Sequence, residues 1–268
     1  MLEISACLPI HNEAKYLRYS LASMRKLDVD EWIVVLDRCT DESEKLIKKY
    51  LPKAKIYHKT TRKWRNPVAE SFQYAYDRAT GEVLLALGAD LIVDPQITEI
   101  IRKLFRNPDV GTVCFRYLNY DLFSLRLRIH GFYENLYKSI VQHFRKEARH
   151  TGFYAFRRQM MEEIGGLRDV PSEYDDFCRR VKNSRWKYVY VPFTKTLHLR
   201  VGLTKTKQFT QGKSRFYLPQ YDLKKTLFHA FIHMKPYLLL GYLHESYMHK
   251  NTMRGQSFTI RKSFLKNY

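Results

Sequence analysis

Over its first 117 positions the chain alternates short apolar runs with stretches apolar on one side only. Residues 3–10, EISACLPI, read as a strand, with Pro9 expected to end its regular pairing because it has no amide donor. His11-Asn12-Glu13 then opens a helix to about Leu27, with Asn12 as N-cap and Tyr16, Leu17, Leu21 and Met24 as its apolar face. EWIVVL (31–36) is a second strand. A turn at 37–41 follows, then a helix over 42–50 with Leu46, Ile47 and Tyr50 inward, and a third strand over 54–58. The loop TTRKWRN (60–66) leads through Pro67 to a helix over 68–79. In TGEVLLALGADLIVDP (80–95), the run from Val83 to Leu87 lies between Gly81 and Gly88 and fits a buried strand of a parallel sheet. A helix over 97–105, stopped at Asn107-Pro108, and a strand over 110–117 continue the alternation. Strand and helix in turn predict an α/β layer with a parallel sheet.

The period then changes. Leu122, Leu125, Ile129, Phe132, Tyr133, Leu136, Ile140 and Phe144 recur at helical spacing through 121–149, with Arg and Lys on much of the other face. The expectation is a helix that packs its apolar side inward and solvates the other; membrane contact is the competing reading. Further elements are a strand over 152–157, a helix over 159–164 stopped by Gly165-Gly166, and a helix opened by Glu173, Asp175 and Asp176 that carries Arg179 and Arg180. A strand over 187–191 comes before His198. From Thr204 the chain is basic and aromatic, with a helix around 223–234 and an apolar patch at 237–243. The organisation predicted is an α/β domain over 1–203 with a basic helical extension over 204–268.

An apolar fraction of 45% in 268 residues supports a large core and argues against wholesale disorder. Lys and Arg number 47 against 27 Asp and Glu, a formal +20 that favours anionic partners: nucleotides, phosphorylated lipids, acidic membranes or nucleic acid. Residues 201–268 hold 12 Lys/Arg against 2 Asp/Glu, so half the excess sits in the last quarter. Basic residues among aromatics suit a membrane interface or a nucleic-acid surface, while the final 15 residues read at least equally as a solvated tail. Cys7, Cys39, Cys114 and Cys178 show no zinc or disulfide spacing and read as reduced thiols of a cytoplasmic protein. The chain enters strand-like sequence at once, so no signal peptide is expected, and no run reaches the ~18 apolar residues of a membrane span.

Three acidic clusters follow predicted strands: Asp37/Asp41, Asp90/Asp94 and Glu173/Asp175/Asp176. Parallel strands end on one edge of their sheet, so the first two clusters should converge there. Oxygen ligands with little sulfur or histidine suit Mg²⁺ or Mn²⁺, which would bridge diphosphate oxygens. The alternative, that Asp90 only caps the following turn, stays open. His198 is a candidate nitrogen ligand or a structural histidine. Arg62, Lys63 and Arg65 could hold phosphate oxygens or simply be solvated.

In order, LPIHNE, VVLDRCTDES, ATGEVLLALGAD, HTGFYAFRRQMMEEIGGLRD, SEYDDFCRRV and VPFTKTLHLR resemble the successive motifs of GT-A-fold glycosyltransferases of the inverting family-two type. The similarity spans about residues 3–200. It implies a Rossmann-like, mostly parallel sheet flanked by helices, and sugar transfer from a nucleotide donor to a glycan or lipid-linked acceptor with inversion. By the same resemblance Pro9, His11 and Glu13 line the nucleotide pocket and Asp37 approaches base or ribose; Arg62 and Lys63, read from their charge, are added to the donor site. Asp90 holds Mn²⁺ or Mg²⁺ with His198 as partner. Glu173, Asp175 and Asp176 supply the catalytic base, with Asp175 preferred. The chain departs from the family pattern at three positions. Leu36 stands where many members have an acid, Gly88 replaces the first acid of Asp-x-Asp, and Tyr174 takes the usual base position.

Two other functions compete. A sugar-nucleotide pyrophosphorylase would need a Gly-rich basic loop after the first strand, which LPIHNEAK lacks. A charge-driven nucleic-acid binder finds no RNA-binding or zinc signature. Peripheral contact of the basic, aromatic extension with the anionic inner face of a membrane is the further expectation.

Overall fold

The computed structural model describes residues 2–144, 152–170, 173–200, 205–217 and 221–252. Internal contacts divide the chain into two units, with the boundary between residues 201 and 202.

In the first unit β1 (Ile4–Ile10), α1 (Ala14–Met24), β2 (Glu31–Asp37), α2 (Ser43–Tyr50), β3 (Lys55–Lys59), α3 (Pro67–Tyr76) and β4 (Val83–Ala86) alternate as the apolar pattern requires. They are followed by β5 (Leu91–Ile92), α4 (Ile97–Leu104), β6 (Val110–Arg116), β7 (Leu118–Asn119) and α5 (Leu125–Phe144). β8 (Gly152–Arg157), α6 (Arg158–Glu163), α7 (Glu173–Lys182), β9 (Lys187–Val191) and β10 (Leu197–His198) complete it. Seven strands form one sheet in the order β3-β2-β1-β4-β8-β6-β9. β8 alone runs against its neighbours, β4 and β6.

Side chains alternate across a strand, so each strand feeds two cores. Ile4, Ala6, Leu8 and Ile10 face α1, α2 and α4, while Cys7, Ile33 and Val35 face α3, α6 and α7. With six strands pointing one way, their carboxyl ends share a rim, where such sheets gather ligands. β5 and β7 continue from β4 and β6 at that rim and pair with β10 in a three-stranded ribbon, β5-β10-β7.

Four expectations change. Pro9 does not end β1: it pairs with Val35, and Ile10 with Leu36. Glu3 and Cys7 turn their carbonyls to β4, accepting from Val83 and Leu87 at 3.0 Å. Pro9 faces the same way, past the end of β4, where its missing donor costs nothing. Asn12 is not the N-cap of α1. It sits at φ 53° with its side-chain oxygen accepting from the Thr40 amide at 2.7 Å, while Asp41 accepts from the Ala14 amide at 2.9 Å and caps the helix from the β2–α2 loop. The three short strands were not foreseen at all.

The fourth change is in α5. The sequence pattern packs its apolar stripe inward, but the structure turns that stripe out. Leu125, Ile129, Phe132, Leu136 and Ile140 are each at least half exposed, whereas Gly131 and Glu134 are buried. The inner face is polar because it covers a polar ribbon. Asn135 exchanges two hydrogen bonds with the Asn119 backbone, and the Arg116 guanidinium donates to Asn135 O and Ser139 Oγ.

The second unit holds α8 (Lys205–Tyr217), α9 (Leu223–Ile232) and α10 (Pro236–Thr252). α8 and α10 touch through glycines: a Cβ on Gly212 would lie 2.0 Å from Leu238 O, and one on Gly241 2.0 Å from Phe209 O. The basic tail beyond residue 252 lies outside the described residues. Among those described, no helix is long and apolar enough to cross a membrane.

Candidate active site

The rim of the sheet carries three groups of charged side chains. The first surrounds Asp37, the last residue of β2. Its buried carboxylate accepts from Arg38 Nε at 2.8 Å and Ser71 Oγ at 2.8 Å, with Lys59 Nζ at 3.4 Å. Lys59, buried at the end of β3, also reaches Glu70 Oε2 at 3.1 Å. Burial by itself raises the Asp37 pKa, but the hydrogen bonds from Arg38 and Ser71 and the charge of Lys59 outweigh it and hold the carboxyl below its usual value. His11 Nδ1 lies 2.6 Å from the Asp37 carbonyl. A carbonyl only accepts, so His11 carries a proton on Nδ1.

The second group surrounds Asp90, just past β4. Arg200 joins two carboxylates: Nη2 donates to Glu13 and Nε lies 3.3 Å from Asp90 Oδ2, with the guanidinium 4.5 Å above the Tyr16 ring. His198 Nε2 is 3.4 Å from the same Asp90 oxygen. Backbone pairing sets this geometry: His198 pairs with Leu91 on one side and Asn119 on the other, and the Leu199 amide donates to Asp90 O at 2.8 Å. The His198 ring leans on Tyr117 at 4.7 Å. Burial raises Asp90, but the contacts with His198 and Arg200 prevail and lower it.

A hydrogen-bond chain assigns the His198 tautomer. Asn119 Nδ2 donates to the buried Glu134 Oε2 at 2.9 Å, which turns Asn119 Oδ1 to His198 Nδ1 at 3.2 Å. An amide oxygen only accepts, so Nδ1 carries the proton. In neutral His198 the Nε2 lone pair then faces a carboxylate oxygen across 3.4 Å, an arrangement satisfied by a proton or by a cation. One carboxylate and one imidazole nitrogen are donors of the kind that would suit a divalent cation. Among the described residues no group of three His, Cys, Asp or Glu could hold a metal by itself, so the pair is a partial donor set.

The third group joins the basic loop to α7. Asn66 caps α3, with its side-chain oxygen accepting from Val68 and Ala69, and its Nδ2 donates to Glu173 Oε2 and Val170 O. Asp169 accepts from the Arg65 and Asn66 amides at 2.9 and 2.8 Å. The Arg62 guanidinium folds back onto the carbonyls of Trp64 and Arg65, and the Lys63 amide donates to Glu70. Tyr174 stacks on Tyr154 at 4.9 Å, a packing position. Asp176 gives one oxygen to Arg179 and the other to Arg180, each at 2.9 Å. The side chain of Asp175 lies outside the described residues.

Asp37, Glu13 and Asp90 thus share the rim: β2 and β4 flank β1, whose end leads to Glu13. Asp94 has another part. It accepts from the Gln96 and Lys195 amides at 3.1 and 3.0 Å and closes the turn before α4. The sequence reading missed Arg200, Asn119, Lys59 and Ser71. Arg200 follows His198 by two residues in HLR, the one local signal available; the others reach the site only through the fold.

The model of the glycosyl transferase family 2 matches residues 5–165. No curated protein matches the chain. Among solved structures it is similar to the mannosyltransferase PcManGT of Pyrobaculum calidifontis in complex with GDP-Man and Mn²⁺. The TM-score is 0.57 at 16% identity, covering 99% of this chain and 79% of that one. The glucosyl-3-phosphoglycerate synthase of Mycobacterium tuberculosis, with Mn²⁺, UDP and phosphoglyceric acid, gives 0.53 at 16% identity over 75% and 72%. TarS 1–349 of S. aureus with UDP-GlcNAc gives 0.50 at 13% identity over 92% and 73%. At these identities the structures speak for the fold. The family model covers more than half of the 268 residues, and the chain belongs to glycosyl transferase family 2.

Proposed function

We propose that this glycosyltransferase moves a hexose, with inversion, from a nucleoside-diphosphate sugar to an acceptor hydroxyl or lipid phosphate. In this reading Asp90 and His198 hold Mn²⁺ or Mg²⁺. The observation that carries it is His198 Nε2 held 3.4 Å from Asp90 Oδ2, with Nδ1 turned the other way onto Asn119. The solved relatives named above hold GDP-Man, UDP or UDP-GlcNAc, two of them with Mn²⁺, which supports the donor class and the ion.

Each group has a defined task in this mechanism. His11, with Pro9 beside it in β1, receives the nucleoside, and the buried Asp37 carboxylate, held by Arg38, Ser71 and Lys59, positions that end of β2. Glu13 and Arg200 flank the diphosphate, and the exposed Lys63 offers it a cation while Arg62 braces the loop through the Trp64 and Arg65 carbonyls. A carboxylate of the Glu173–Asp176 segment takes the acceptor proton as the acceptor oxygen bonds to the anomeric carbon. The bond from that carbon to the diphosphate breaks, and its electron pair leaves with the nucleotide. Asp175 is the proposed base, because Arg179 and Arg180 occupy both oxygens of Asp176. The divalent ion, when bound, supplies charge stabilisation to the departing diphosphate.

A thermal-shift panel of UDP-, GDP- and dTDP-sugars with and without Mn²⁺ tests this. A ligand that binds only the folded state raises its melting temperature, so one base should respond, and only with the ion. No response to any sugar nucleotide would contradict the reading.

A further inference from the structure

The outward stripe of α5 has no part in the proposed sugar transfer. At 3.6 residues per turn, Leu125, Ile129, Phe132, Tyr133, Leu136 and Ile140 fall within an arc of about 100° along roughly 22 Å of helix. Leu125 and Phe132 are each 70% exposed. Apolar surface this continuous marks a contact with something apolar.

Charge narrows the choice of partner. Between residues 118 and 140 the only carboxylates, Asp121 and Glu134, are both buried. Asp121 accepts from the Phe123 and Ser124 amides, and Glu134 from Asn119. The outer face therefore presents apolar groups and cations without an exposed acid. Arg126 is exposed on it, and the Arg128 guanidinium lies 4.6 Å over the Tyr120 ring. At the start of the helix Tyr19 and Phe123 are exposed, and Lys15 Nζ lies 3.7 Å from the Phe123 ring centre. Aromatic rings paired with cations, beside an apolar stripe, suit the headgroup region of an anionic bilayer. A second copy of the chain would bring like charge against like charge.

We infer that α5 lies on the surface of an anionic membrane with this stripe among the lipid acyl chains. Its inner face holds Asn119, which holds His198, so the docked helix sets the sugar-transfer site beside the lipid surface. The bearing on a lipid-borne acceptor rests on the proposed function; the docking does not.

The test is cosedimentation of the full chain with phosphatidylcholine vesicles, with and without phosphatidylglycerol, in the absence of any sugar nucleotide. The double variant Ile129→Glu, Phe132→Glu changes two exposed side chains, and its melting temperature and donor-induced thermal shift report whether the fold and the sugar-nucleotide site survive. The wild type should bind the anionic vesicles, and the variant should bind them at least about tenfold more weakly with both thermal properties unchanged. Equal binding by variant and wild type overturns the inference, as does binding no stronger with phosphatidylglycerol than without it. A dimer in light scattering that the variant converts to monomer, with vesicle binding intact, assigns the stripe to a second copy instead. Loss of donor response in the wild type alone would strike the proposed function and leave the docking standing.

Discussion

Asn119 Oδ1 and His198 Nδ1 lie 3.2 Å apart across the paired strands β7 and β10, and through this contact the buried Glu134 decides which nitrogen of His198 is free. The histidine has no freedom to present its other edge to Asp90 while that chain is intact. Supporting contacts of this kind are commonly worth 10–100-fold in metal affinity. Asn119→Ala should therefore weaken Mn²⁺ binding by roughly that factor, read by electron paramagnetic resonance titration of the folded variant. Unchanged Mn²⁺ affinity would remove Asn119 from the site.

Arg200 donates from Nη2 to Glu13 and sets its guanidinium, with Nε at 3.3 Å, against Asp90 Oδ2, so one planar cation faces two carboxylates. Arg200→Ala should raise the KM for the donor at least about tenfold and cost about 1 kcal/mol in a urea melt, since the bridge is only partly buried. Arg200→Lys should not restore the KM, because one ammonium cannot serve both acceptors. Full rescue by lysine would reduce Arg200 to a point charge.

Glu31 stands at the opposite edge of the sheet, where β2 begins. It accepts from Ser5 Oγ, Thr80 N and Lys55 Nζ. Burial raises its pKa, yet the hydrogen bonds from Lys55, Ser5 and Thr80 prevail and lower it to about 2. The folded value is thus below the ordinary ~4.3 of a glutamate. Its contribution is complete above pH ~4.3 and is lost as pH falls towards 2. Glu31→Gln should cost about 1–3 kcal/mol at neutral pH and flatten the stability profile between pH ~4 and 2, leaving donor binding alone. An unchanged acid limb in urea melts would contradict this.

How much of this was legible follows from what each element depends on. β8 and β9 stand where the apolar runs place them, at Gly152–Arg157 and Lys187–Val191, because a buried strand writes its own pattern. The ribbon strands β5, β7 and β10 have two residues each and no period to read. Asp41 caps α1 from 27 residues away, so local sequence favoured Asn12. In α5 the amphipathic spacing was plain, but spacing does not say which face is inside. That was settled by Asn119 and Arg116, whose polar groups need polar partners. At the rim, Asp90 and His198 were legible as residues at strand ends, whereas Arg200 and Asn119 come against them only when β10 is laid between β5 and β7.

Gly212 and Gly241 let α8 and α10 meet backbone to backbone. Gly241→Leu should force the helices apart and cost about 1–3 kcal/mol, seen as faster limited proteolysis within residues 205–252, with donor binding retained. Proteolysis at the wild-type rate would show that the helices tolerate the added side chain.

The pairing of Asp90 with a cation is the centre of the account, and donor hydrolysis by Asp90→Asn tests it most directly. Asparagine keeps the shape and removes the charge. The rate of nucleotide release at saturating Mn²⁺, in a variant with wild-type circular dichroism, should fall by about 10²–10³. A rate within about twofold of wild type, still dependent on Mn²⁺, would mean that the ion is held elsewhere.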